Sequence, residues 1–229
     1  VAPLGVAAAA LALFVCISLR MLLDEARAVV AATESDLPAA RHRLRSLAGR
    51  DADDLTAGEV RSAAVESLAE NLADGLLPPL LFFAAAAALA PPAIALSVAA
   101  GAAAWVKAVN TLDSILGYRS KPVGYAPARL DDAVMFVPAR LAAVVVAVAA
   151  GRPRAVLAAR RAARAPPSPN SGWPMATLAA VLGVRLRKPG SYDLDFGDLP
   201  TPVDGARARR VVGRAGALSY LLAGVVAWS

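Results

Sequence analysis

The chain has 229 residues, of which 58% are apolar and only 18% charged. Soluble domains carry about 45–50% apolar and 25% charged residues, so an ordinary soluble enzyme and a disordered tail are excluded. The excess of 24 Lys and Arg over 18 Asp and Glu reads as membrane topology, not as a nucleic-acid-binding surface. One cysteine, Cys16, and one histidine, His42, exclude an internal disulfide framework, a cysteine-cluster zinc site and a multi-histidine metal centre. Any metal must therefore take oxygen ligands, which suits Mg²⁺.

The charges fall in blocks. Residues 24–74 hold 6 basic and 11 acidic side chains, residues 101–132 hold 4 and 3, and residues 151–214 hold 12 and 4. Between them lie apolar stretches near 1–23, 76–104, 133–150 and 215–229. A charge at the bilayer centre costs about 2.5–3.5 kcal/mol, so this partition predicts an all-α, multi-pass integral membrane protein. Interfacial and cytoplasmic helical segments join its spans, in a single unit over 1–229. The continuous apolar runs exclude the alternation of a β-barrel.

Val1–Leu23 is long enough to span a core of about 30 Å. It lacks the basic n-region of a signal peptide. Ser35 or Asp36 is expected to cap the next helix, with Pro38 in its first turn and Gly49 as its stop. Arg41, Arg43 and Arg45 form a solvated or headgroup-facing run.

Thr56 to Glu59 has the form of a capping box and opens a helix through "EVRSAAVESLAENLADG", which Gly75 could end. On it Glu66, Glu70 and Asp74 recur every four residues with Asn71 beside them, which places three carboxylates on one face. Like charges at that spacing repel by roughly 0.2–0.5 kcal/mol per pair, so the face calls for a cation or is an exposed acidic surface. Beyond it, Pro78-Pro79 and Pro91-Pro92 interrupt the apolar stretch. Two short helices with a corner at Pro91-Pro92 are expected, either as a hairpin or as one kinked span.

Lys107, Asn110, Asp113 and Ser114 share a helical stripe that Gly117 ends, and a Gly- and Pro-containing loop follows. Asp131 and Asp132 are expected to start the next apolar helix, as caps or as a functional pair. Arg140 lies inside that helix. An ionisable group there faces the bundle and is paired; Glu66, Glu70 or Asp113 are its expected partners, and snorkelling is the plainer reading. In the last polar block, "RAVLAARRAARAPPSPNSGWP" reads as a basic interfacial helix and a proline-rich turn. Asn170 to Trp173 form a loop able to approach a ligand, and "RKPGSYDLDFGDLPTP" reads as a further loop. The positive-inside rule puts this block in the cytoplasm. Neither a P-loop nor a GxGxxG fingerprint is present.

Four segments, "VESLAENLADGLLPPL", "KAVNTLDSILGYRSKP", "ARLDDAVMFVPARL" and "SPNSGWPMATLAAVLGVRL", together with "AGRDADDL", resemble the CobD/CbiB membrane proteins, the adenosylcobinamide-phosphate synthases of cobalamin biosynthesis. The resemblance covers roughly residues 40–190. Ala52 stands where the family's GRDT-like run has Thr. The family carries further transmembrane sequence and a His-Pro segment before the equivalent of Val1, so a truncated copy is expected.

The resemblance implies an ATP- and Mg²⁺-dependent amide ligation at the cell membrane, with the active site facing the cytoplasm. It joins a propionate carboxylate of the corrinoid adenosylcobyric acid to (R)-1-aminopropan-2-ol or its O-phosphate. On that reading the catalytic candidates are Glu66, Glu70, Asn71, Asp74, Asp113, Asp131 and Asp132, and Glu70, Asp74 and Asp113 are the Mg²⁺ candidates. Lys107, Asn110, Arg119, Lys121, Arg129, Arg140, Asn170 and Trp173 are candidates for substrate binding. A non-catalytic membrane sensor on the same scaffold is the alternative, and a transporter a third option.

Overall fold

The computed structural model describes residues 3–117 and 122–228. Its elements are almost all helical: α1 (Pro3–Cys16), α2 (Leu19–Ala32), α3 (Leu37–Leu44), α4 (Ala57–Asn71), α5 (Leu77–Leu89), α6 (Ala95–Leu116), α7 (Pro122–Val134), α8 (Phe136–Ala149), α9 (Ala155–Ala159), α10 (Gly172–Leu182) and α11 (Pro202–Trp228). Four helical runs among the described residues are long and apolar enough to cross a bilayer: Pro3–Ala32, Ala57–Leu89, Ala95–Leu116 and Pro202–Trp228. A fifth candidate is the pair Val123–Val134 and Phe136–Ala149, bent by 48°.

The local signals set the helix starts. Asp36 accepts the Ala39 N–H and caps α3. Thr56 and Glu59 form the reciprocal capping box of α4. Thr201 and Asp204 exchange equivalent bonds at the start of α11. Two expected stops differ. α3 ends at Leu44, ahead of Gly49. Gly75 does not end the acidic helix, which passes through a π-helical turn, Leu72–Leu76, directly into α5. Pro78 and Pro79 then sit in the first turn of α5, directly after the π turn, and the run tolerates the loss of their two N–H donors. The result is one helical run of 33 residues.

The corner does fall at Pro91-Pro92, where the Ile94 N–H bonds the Pro91 carbonyl. α5 and α6 pack on each other as a hairpin, but α6 has 22 residues and is not a short helix.

Asp131 and Asp132 are placed differently from expectation. They lie in the last turn of α7, before the bend at Met135, and do not cap α8. The block 185–200 also differs: β1 (Leu186–Lys188) and β2 (Tyr192–Leu194) pair as an antiparallel hairpin. Arg185 clamps Asp193 across its open end with two nitrogens on the carboxylate. The basic segment after α8 is only the short α9 and a 3₁₀ turn, Ala162–Arg164.

α11 packs against α2, α4, α5 and α8. Its buried face is built from small residues, including Gly205, Ala208, Ala215 and Gly216, which let helix backbones approach closely. A β-carbon on Gly205 would lie 2.8 Å from a Val30 methyl. The largest core cluster joins α2, α4, α5, α8, α10, the β-hairpin and α11 through Leu22, Leu68, Leu72, Leu178, Leu186 and Val212.

Candidate functional site

Glu66 has no exposed surface. Its carboxylate accepts from Arg50 Nη2 at 2.5 Å, Ser62 Oγ at 2.8 Å and Tyr192 Oη at 2.7 Å. Ser62 Oγ in turn accepts the Arg187 N–H at 2.8 Å. One carboxylate therefore ties the loop before α4, α4 itself and the β-hairpin together. Burial opposes the charge on Arg50, but the Glu66 carboxylate outweighs it and holds the guanidinium above its ordinary pKa. Burial first, and then the Glu66 charge, push the Tyr192 phenol upward. Glu66 is therefore engaged by three donors, while Glu70 and Asp74 on the same helical run are only partly buried. Arg50 Nη1 is buried without a hydrogen-bond partner.

Glu70 and Asp74, the next two residues of that face, are each partly exposed. Glu70 lies in the electrostatic range of Glu66, Arg50 and Lys188. Asp74, inside the π turn, lies in the range of Glu70, Asp131, Asp113 and Lys107. Inserted π turns are frequent at functional sites, and this one brings Asp74 within range of Asp113 on α6 and Asp131 on α7. Asn71 is exposed and its amide donates to the Ser67 carbonyl at 3.0 Å. On α6, Asn110 donates to Asp131 at 3.4 Å, and Asp131 also feels Asp113 and Asp132. Asp74, Lys107, Asn110, Asp113 and Asp131 thus converge from three elements.

Asp132, the next residue of α7, opens the second half. Asn170 is 3% exposed; its amide donates to the Asp132 carbonyl at 2.8 Å and its oxygen accepts Arg140 Nη1 at 2.6 Å. Arg140 also donates to the carbonyls of Phe136 at 2.8 Å and Pro169 at 3.1 Å. Its guanidinium lies 3.7 Å from the Phe136 ring centre and 5.4 Å from that of Trp173. The expected carboxylate partner of Arg140 is thus replaced by a neutral amide, two carbonyls and two aromatic faces. Arg140 is in the second turn of α8, so the Asn170 loop meets the start of that helix, at the bend. After α8 the chain returns through α9 and the 3₁₀ turn, so the Asn170 loop lies beside Asp132 and Arg140.

A cavity of about 500 Å³ opens beside this latch. Arg129, Asp132, Arg140, Arg164 and Trp173 line it with the 166–169 loop. Three guanidinium groups face one carboxylate, Asp132, which Arg129 approaches to 3.7 Å. The cavity suits an anionic group, and its aromatic and proline walls suit an apolar one. Arg119 and Lys121 lie outside the described residues.

Among the described residues, no three His, Cys, Asp or Glu side chains are gathered closely enough to hold a metal ion between them. Glu70, Asp74 and Asp113 are therefore not a protein-made cage. Mg²⁺ is usually held by one or two carboxylates with waters and substrate phosphates, and the Asp74–Asp113–Asp131 group offers that donor chemistry. Sequence reasoning missed Arg50, Ser62, Lys188, Tyr192 and Arg164. Arg50 was within reach, since it belongs to the "AGRDADDL" segment; Tyr192 lay in a stretch read as loop.

Fold and site together define a multi-pass helical membrane protein with an acidic cluster beside an arginine-rich cavity at a bent helix pair. The chain belongs to the CobD/Cbib family, whose model matches residues 1–217. It is 38% identical over 213 residues to the probable cobalamin biosynthesis protein CobD of Methanothrix thermoacetophila, covering 90% of this chain and 65% of that protein. It is 39% identical over 229 residues to the cobalamin biosynthesis protein CobD of Rhodobacter capsulatus, covering 93% and 69%. A third relative, CobD of Geobacter metallireducens, is 40% identical over 204 residues, covering 84% and 59%. The chain thus spans less than two thirds of the Methanothrix and Geobacter proteins. No solved structure matches it.

Proposed function

We propose that this chain acts in cobalamin biosynthesis as a membrane-bound carbon–nitrogen ligase. It would join the propionate carboxylate of adenosylcobyric acid to (R)-1-aminopropan-2-ol or its O-phosphate. The observation that carries the reading is the adjacency of Asp131 and Asp132. One faces Asp113 and Asp74, with Lys107 near the latter, and the other lines the arginine cavity.

Amide formation from a carboxylate needs three things: an activated acyl group, a neutral amine, and cations on the transferring phosphoryl oxygens. Bound ATP with Mg²⁺ would supply the phosphoryl group that activates the carboxylate. Asp74, with Asp113 or Asp131, would hold the metal alongside the nucleotide phosphates. Arg129, Arg140 and Arg164 would bind anionic oxygens in the cavity. Glu70 has Arg50 and Lys188 on one side and Asp74 on the other, and would take the proton that the attacking amine loses. Asn110 and Asn170 would orient amide or phosphate groups. Trp173 offers an aromatic wall to a large amphipathic corrin. On this reading the basic balance of 151–214 would favour a site on the cytoplasmic side.

The test is a mass-spectrometric ligation assay on detergent-solubilised chain with adenosylcobyric acid, aminopropanol phosphate and Mg-ATP. The expected result is a corrinoid carrying the mass of aminopropanol phosphate, formed only with nucleotide and metal. Absence of product both from this chain and from the same chain joined to a relative's N-terminal portion would reject the reading.

A further inference from the structure

α11 carries a feature that the ligation reading does not use. At 100° per residue, Arg207, Arg210, Arg214, Leu218, Leu221, Val225 and Trp228 fall in an arc of about 80°. That arc lies opposite the buried face of Gly205, Ala208, Val212, Ala215 and Ser219. The stripe is cationic for its first two turns and apolar afterwards. Arg207, Arg210, Val211 and Arg214 line a cavity of about 200 Å³. Arg207 pairs with Asp204 at 3.2 Å. Among the described residues, Arg210 and Arg214 have no carboxylate partner, and both are exposed. Below them Leu221 and Val225 are each 69% exposed and Trp228 is 93% exposed.

We infer that this stripe is a binding site for one anionic glycerophospholipid. Its phosphate is held by Arg210 and Arg214, and an acyl chain lies along Leu221, Val225 and Trp228. The order of the two halves fits an amphiphile: the arginines precede the apolar stretch of a membrane-crossing helix, at headgroup depth. Guanidinium groups bind phosphate through paired N–H donors, and basic pockets at that depth recognise anionic headgroups. A second copy of the chain is a poor occupant, because a two-fold contact sets the stripe against itself and brings the unpaired arginines together. The inference is independent of the ligation reading.

The test uses the whole chain in nanodiscs of phosphatidylcholine containing a minor fraction of phosphatidylglycerol. Retained lipid is read by native mass spectrometry. Retention of phosphatidylglycerol over phosphatidylcholine is expected, with an affinity roughly 30-fold lower in Arg210→Gln/Arg214→Gln. Leu221→Ala, which keeps the arginines, should retain the lipid more weakly than the parent. Soluble glycerol 3-phosphate should not compete. Equal retention by the double variant would overturn the inference, as would glycerol 3-phosphate binding as tightly as the lipid. A lipid-free dimer that the double variant dissociates would also overturn it, by assigning the face to self-association.

Discussion

Arg140 and Asn170, thirty residues apart, meet at 2.6 Å and fix the proline-rich loop to the bend between α7 and α8. Asn170 uses both ends of its amide, one on the Arg140 guanidinium and one on the Asp132 carbonyl. A buried amide so placed is an orienting device for both neighbours.

Replacing Asn170 with Ala leaves Arg140 and the Asp132 carbonyl each short of a bond. The expected cost is about 1–3 kcal/mol, read as a lower melting temperature of the solubilised protein. Asn170→Asp, which keeps an acceptor for Arg140 but loses the donor to Asp132, should fall between. Equal melting of all three proteins would show that the latch is not structural.

Arg140→Ala removes a charge from the cavity and its contacts with Phe136 and Trp173. If ligation is assayed, KM for the phosphorylated amino alcohol should rise by tenfold or more, from loss of a charge-assisted contact of about 1.5–3 kcal/mol. An unchanged KM for every substrate would place anion binding elsewhere.

Breaking the buried Arg50–Glu66 pair by Arg50→Met leaves Glu66 charged and partly unsatisfied. Removing one member of such a pair typically costs about 3–5 kcal/mol. Glu66→Gln in the same background should recover part of the loss, and a double-mutant cycle on thermal unfolding reads the coupling. Glu70→Gln should behave differently, abolishing product formation while insertion and melting stay unchanged. Normal turnover by that variant would remove Glu70 from the chemistry.

Tyr192 gives the pH dependence. Its folded pKa is raised above the ordinary value of about 10 by burial and then by the Glu66 charge. A raised folded pKa contributes stability that is full below about pH 10 and is lost as pH rises toward the folded value. Phenolate absorbance should therefore show a late titration step coupled to alkaline unfolding. That late step should be absent in Tyr192→Phe.

Much of this architecture was legible from local signals. The T-x-x-E box, Asp36 and the Pro91-Pro92 corner act within a turn, and each fell where the residues indicated. The blocks of charge marked the apolar parts of the helices able to cross a bilayer, although the stretch 76–104 divides between two of them and each extends into a charged block. What was not legible depends on distant partners. Glu66 reads like Glu70 on a helical wheel; only the arrival of Arg50 from the preceding loop and Tyr192 from a hairpin far along the chain separates them. Gly75 looks like a stop, yet the π turn absorbs it. Arg140 asked for a carboxylate by simple charge pairing. It received an amide because the loop returning from α9 ends beside it, and no spacing rule reports that return.

The uninterrupted run from Ala57 to Leu89 acts as a ruler. Its 33 residues measure roughly 50 Å at 1.5 Å per residue, while a hydrocarbon core is about 30 Å thick. With the apolar Leu77–Leu89 end immersed, about 20 Å at the other end stands clear, so the Arg50–Glu66 junction sits in water or headgroups and Glu70 and Asp74 mark the waterline. If the proposed ligation takes place there, its site would be open to dissolved molecules from above and to amphiphiles drifting in the leaflet from the side. Neither kind of reactant has to traverse the membrane to arrive.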